Sequence, residues 1–154
     1  MHQTLQTPLS HPKPRPFPIR DKGIMAMYLF LGLGGAIGTV FRFWLDGFVS
    51  NQFGRMFPWG ILAINVSGSF LIGFLSALIG PEGRWMVSPV TRNFFMVGIC
   101  GGYTTFSSFS LNTLNLARSG QWLHAGGNIV LSVVLCLMAV WLGYTVGLAL
   151  APKT

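Results

Sequence analysis

Four long apolar runs constrain this chain more than any other feature. They extend from Ile24 to Trp44, from Pro58 to Ile79, from Val90 to Ala117 and from Trp122 to Ala151. Each reaches the ~20 residues that an α-helix needs to cross a ~30 Å hydrocarbon layer. The connections Leu45–Phe57, Gly80–Pro89 and Arg118–Gln121 are short. Charged residues make up 8% of the 154 residues and hydrophobic residues 51%, with a mean hydropathy of +0.58. Soluble domains carry roughly 25% charged residues, so this chain has too little charge to cover a water-facing surface. The composition and spacing imply a single all-α integral membrane domain over residues 24–151, with four transmembrane helices (24–44, 58–79, 90–117 and 122–151) in a lipid bilayer. Trp44, Trp59, Trp85 and Trp122 fall near span ends, where amphipathic rings favour the headgroup layer.

Residues 1–23 are rich in proline and lack apolar periodicity, which predicts a disordered basic tail. The tail does not read as a signal peptide, because the apolar run after it is too long and has no clear small-residue cleavage site. Met25 and Met27 are alternative candidate starts. With four spans both termini share one side. Lys13, Arg15, Arg20, Lys22, Arg84, Arg92 and Lys153 lie on that side, against Arg42, Arg55 and Arg118 on the other. The positive-inside rule then puts the termini in the cytoplasm. Without the tail the count is three against three. Such a balance suits a protein that inserts in both orientations, and equally one whose tail alone sets its orientation.

The formal net charge is +7, but the basic residues form no stripe on any helix, which argues against nucleic-acid binding. Cys100 and Cys136 lie in apolar runs and read as small buried hydrophobes rather than a disulfide. His2, His11 and His124 are too scattered for a metal cluster. No nucleophile–base pair or phosphate loop can be assembled, so the chain does not read as an enzyme.

The third run is the unusual one. Gly101-Gly102 is followed by Tyr103, Thr104 and Thr105 near its middle. These residues have low helix propensity, and their clustering predicts a break in the helix. The alternative is an unbroken helix whose glycines serve tight packing. A break facing lipid would cost several kcal/mol per unpaired backbone group, so it must be buried or line a cavity. Freed carbonyls can hold a cation there, and half-helix N-termini can favour an anion. Phe106 and Phe109 share a helical face that Ser110 joins. Their rings are either packing groups or, through their electropositive edges, contacts for a small anion. Asn65 in the second run can donate to an anion or join two helices. Asn128, Ser132 and Cys136 form a weakly polar stripe in the fourth run. Glycine and serine pairs four apart (Gly34 and Gly38, Ser69 and Gly73, Gly98 and Gly102, Gly143 and Gly147) suit close helix packing. Away from the span ends there is no Asp, Glu, Lys or His. Arg42 is the one cation, and it reads as structural or as attracting anions.

Three segments, GGAIGTVFRF at 34–43, PWGILAINVSGSFLIG at 58–73 and GICGGYTTFSSFS at 98–110, resemble the Fluc, or CrcB, fluoride channel family. The likeness runs from about residue 26 to 150, and the third segment is its most specific part. It implies four transmembrane helices with the third broken, assembled as an antiparallel, dual-topology homodimer. It further implies two narrow fluoride pathways and a structural sodium ion (Na+) at the dimer centre, held by the main-chain carbonyls of Gly101 and Thr104 from both subunits. Phe106 and Phe109 would turn ring edges to fluoride, and Asn65 would be an amide donor. Ser110, Asn128, Ser132 and Cys136 would extend the polar track, with Cys136 standing where the family usually has a hydroxyl. The implied location is the bacterial inner membrane. The implied activity is passive fluoride export that lowers fluoride toxicity. A small multidrug-type exporter shares the four-helix dual-topology plan but would need a membrane carboxylate. A non-transporting accessory protein is the third alternative.

Overall fold

A computed structural model describes residues 21–150. Residues 1–20 of the expected tail, and positions 151–154, lie outside the described residues. Asp21, Lys22 and Gly23 form the start of the first helix rather than the end of the tail.

Helix α1 spans Asp21–Phe53, well past the expected end at Trp44. No proline interrupts 45–53, and ring stacking one turn apart supports the continuation: the Trp44 and Phe48 centroids are 5.8 Å apart. The helix stops at Gly54, whose φ of +81° a side chain would disfavour. At 33 residues it is about 50 Å long, more than a bilayer core requires. Helix α2 spans Trp59–Ile79 behind Pro58, as the sequence predicts, and ends at an extended Gly80. The connection to the third span folds back on α2: Trp85 donates its N–H to the Leu78 carbonyl at 2.7 Å.

The third span is two helices. The first, α3, covers residues 89–103 and is capped by the Ser88 hydroxyl, which accepts from the Thr91 N–H at 3.1 Å. Its middle, Phe94–Cys100, is wound as a π-helix, and Gly101–Tyr103 returns to α geometry. Thr104 and Thr105 are then extended, with ψ of 156° and 114°. Helix α4 restarts at Phe106 and runs to Arg118. The expected break is present. It falls on the two threonines, while both glycines stay helical. Helix α5 spans Trp122–Leu150 after a turn at Gly120.

Close backbone contact organises the bundle into couples. A Cβ on Gly38 would collide with the Ile99 carbonyl oxygen, and one on Gly102 with Gly35, so α1 lies directly on α3. In the same way Gly73 abuts the Val140 backbone and Gly143 the Phe70 backbone, locking α2 onto α5. These glycines are thus used in contacts within the chain. The core at the meeting of the couples contains Ile61, Ile64, Tyr103 and Phe109.

Candidate functional site

The break between α3 and α4 exposes backbone groups that an unbroken helix would pair, and the chain supplies substitutes. Asn65 on α2 does most of this. Its Oδ1 accepts from the Thr105 N–H at 2.8 Å, and its Nδ2 donates to the Thr105 carbonyl at 3.0 Å. The side-chain amide thus pairs with the Thr105 peptide groups as a neighbouring strand would. Thr105, buried, also caps α4: its hydroxyl accepts from the Ser108 N–H at 3.2 Å. Thr104 turns back to the Cys100 carbonyl through both its N–H (3.0 Å) and its hydroxyl (2.9 Å). Tyr103 is fixed to α2 by a 2.7 Å bond between its hydroxyl and that of Ser67.

These substitutions have a consequence for two carbonyls. In a continuous helix the Thr105 N–H would return to Gly101 and the Ser108 N–H to Thr104. Here both donors go elsewhere. The Gly101 and Thr104 carbonyls therefore lose their helical donors, and Gly101 lies on the exposed surface with nothing packed over its Cα. Main-chain carbonyls freed in this way have the donor chemistry that suits a hard cation such as sodium.

Beside the break is a cavity of about 410 Å³. Asn65, Thr104, Thr105, Phe106 and Phe109 contribute to its wall, and Ser132 and Cys136 add the α5 side. No charged side chain lines it. The two phenyl rings touch, with centroids 5.3 Å apart and planes at 45°. Phe109 is 9% exposed and forms part of the core, whereas Phe106 is 78% exposed and stands on the surface of the chain.

The remaining predicted residues fall outside the cavity lining. Ser110 is exposed and donates to the Phe106 carbonyl at 2.9 Å. Asn128 is 1% exposed, and its Nδ2 donates to the Thr113 hydroxyl at 2.8 Å, tying α5 to α4. Ser132 donates to the Asn128 Oδ1 at 3.5 Å, so the polar stripe is linked internally. Arg42 is half-buried on α1 and lines none of the cavities described. Thr105 and Thr113 hold the site together; the sequence marked Thr105 only as part of the break and Thr113 not at all, because a threonine does not reveal which distant amide it pairs with.

Among the described residues four helical spans are long and apolar enough to cross a membrane, one of them interrupted beside an uncharged cavity, which defines a multi-pass membrane protein with a broken span. Comparison with known proteins gives the particular case. The chain belongs to the CrcB family: the family model described as "CrcB-like protein, Camphor Resistance (CrcB)" matches residues 29–144. Among its curated relatives is a protein of Methylocella silvestris named "Fluoride-specific ion channel FluC", 59% identical over 80% of this chain and 94% of the relative. Proteins of the same name from Opitutus terrae (56% identical; 82% and 96% covered) and Rhodospirillum rubrum (57%; 76% and 91%) are similarly close.

Proposed function

We propose that this protein is a fluoride-selective channel that lets cytoplasmic fluoride leave the cell passively, down its electrochemical gradient, and so lowers fluoride toxicity. The observation that carries this reading is the composition of the cavity at the break. Two phenyl rings, an amide and the hydroxyls of Ser69, Thr104, Thr105 and Ser132 line it without any carboxylate or cation. Ring edges, hydroxyl hydrogens and the remaining Asn65 N–H can replace the hydration shell of a small, strongly hydrogen-bonding anion. Chloride is larger and a poorer acceptor, and it recovers less of its hydration in such a place. The names of the relatives agree with this chemistry. Proton-coupled export of organic cations has no carboxylate in the cavity to work with.

Passive export needs no coupling energy. Hydrogen fluoride enters from an acid exterior, dissociates, and leaves the anion inside. A negative interior then drives the anion out with about 2.3 kcal/mol per charge per 100 mV. The working unit is an antiparallel homodimer in the bacterial inner membrane. The exposure of Phe106 supports a partner surface there, and the balanced basic residues of the membrane domain support insertion in both orientations. A structural sodium ion would be held by the Gly101 and Thr104 carbonyls of both subunits and would neutralise part of their dipoles. The loss of their helical donors supports that assignment. The test is fluoride efflux from liposomes. Reconstituted protein should release internal fluoride far faster than empty liposomes and release chloride no faster. Efflux equal to the empty control would end the channel reading.

A further inference from the structure

Several hydroxyls in these spans follow a pattern that Ser132 breaks. Ser67, Thr104, Ser110 and Thr113 each donate to the main-chain carbonyl four residues back, at 2.7, 2.9, 2.9 and 2.8 Å. Back-bonding of this kind is an ordinary way for a helical hydroxyl to satisfy its proton. Ser132 on α5 instead donates to the side chain of the residue four back, the Asn128 Oδ1, at 3.5 Å. That is beyond the roughly 2.5–3.0 Å usual for O–H···O bonds, so the proton is loosely held. Ser132 is 7% exposed and lines the cavity, whereas Asn128 is 1% exposed and lies behind its wall. The orientation of the Asn128 amide is set from α4. A carbonyl can only accept, so the Thr113 hydroxyl spends its one proton on the Phe109 carbonyl. Toward Asn128 it can then only accept, and it receives the Nδ2 donor at 2.8 Å. The amide nitrogen is thereby turned to Thr113 and the amide oxygen to Ser132.

We infer that Thr113 and Asn128 are positioning residues of the pathway: together they hold the Ser132 hydroxyl off its own backbone, so that its proton can turn to an anion in the cavity. The anion is fluoride on the reading proposed above, on which this role rests. A hydroxyl leaves a 3.5 Å acceptor at little cost, whereas one bonded to a carbonyl at about 2.8 Å gives up a full hydrogen bond before it can serve an ion. When the ion moves on, the Asn128 oxygen takes the proton back, so Ser132 is not left unpaired between ions. Contacts that form readily and are easily undone are what conduction requires. Asn128 thus serves the pathway from behind the wall, and Ser132 is the α5 hydroxyl that meets the anion.

The test combines fluoride efflux from liposomes, melting in detergent and a crystal structure of one variant. Thr113→Val alone strands the buried Asn128 amide and should lower the melting temperature. The double variant Asn128→Leu/Thr113→Val replaces both polar partners with apolar groups, a change close to neutral for stability. It should melt near wild type. It should nonetheless slow fluoride efflux by about tenfold, as Ser132→Ala does, through the loss of one hydrogen bond to a charged ligand. Adding Ser132→Ala to the double variant should slow it no further, because both changes remove the same donor. In the structure of the double variant the Ser132 Oγ should lie about 2.8 Å from the main-chain carbonyl of residue 128. A stable double variant with wild-type efflux would overturn the positioning role, and so would a Ser132 hydroxyl still turned away from that carbonyl. A wild type that carries no fluoride would end the channel reading instead, and the structure of the double variant would still decide whether Asn128 holds Ser132 off the backbone. Asn128→Met/Thr113→Val takes its place if the leucine double variant does not purify.

Discussion

At the scale of single residues, Asn65 carries the most structure per atom. Its amide satisfies both the N–H and the carbonyl of Thr105 at a buried interruption of the helix. Asn65→Ala would leave two buried backbone groups unpaired, at about 1–3 kcal/mol each. The variant should melt well below wild type in detergent and lose fluoride efflux; unchanged melting would show that water replaces the amide without cost. The two rings make a contrasting pair. Phe106→Ile changes an exposed side chain, and Phe109→Ile changes one that packs in the core. Both should sharply slow efflux, while only Phe109→Ile lowers stability, by roughly 1–3 kcal/mol. Normal efflux in both would reduce the rings to packing groups. The sequence made Asn65, Phe106 and Phe109 visible as candidates, because an amide and serine-flanked rings are unusual inside a span. It did not decide between amide donor and helix joiner for Asn65, since the Thr105 partner lies 40 residues away. Ser110 and Asn128 show the same limit: helical spacing predicts a shared face, but not whether that face meets the cavity.

At the scale of elements, local sequence accounts for the break and tertiary contact accounts for its exact place. The run Gly101-Gly102-Tyr103-Thr104-Thr105 weakens a helix anywhere along it. Both glycines nonetheless stay helical: α1 presses on Gly102 and rewards a regular backbone there, while the threonines open where Asn65 can take up the loose groups. The π-wound stretch Phe94–Cys100 has no signature in its residues. It lies where Gly34 and Gly38 let α1 approach, so it is a property of the pair of helices. A substitution at that contact should be disproportionately harmful. Gly38→Ala drives a methyl group into the backbone at Ile99 and Tyr103 and should cost about 1–3 kcal/mol. Gly32→Ala on the same helix meets nothing within 4 Å and should stay within about 0.5 kcal/mol of wild type. Thermal melting of the two variants side by side checks this. Equal melting would mean that α1 and α3 yield freely.

At the scale of the whole molecule, the fold class follows from the four apolar runs, and the extension of α1 to Phe53 is the main departure in extent. It was hidden because a hydropathy reading ends where residues become mixed, whereas a helix ends only where its backbone is stopped, here at Gly54. Orientation belongs to this scale too. With the N-terminal residues included, seven basic residues face three across the membrane; a chain starting at Met25 would lose Lys13, Arg15, Arg20 and Lys22 and carry three against three. A reporter fused to the C-terminus should be found on both sides in each case, with a larger cytoplasmic share for the full chain than for the shortened one. A cytoplasmic reporter in both cases would show that the membrane domain has its own fixed orientation. The glycine contacts also set how the bundle can deform. Each couple is meshed backbone to backbone, α1 with α3 and α2 with α5, and a panel built that way resists shear. Between them lie the core of Ile61, Ile64, Tyr103 and Phe109, the close approach of Gly60 to Asp46, and the hydrogen bonds of Asn65 with Thr105 and Ser67 with Tyr103. Each panel is thus held chiefly by backbone contact, and the seam between them, where the threonine pair lies, chiefly by side chains.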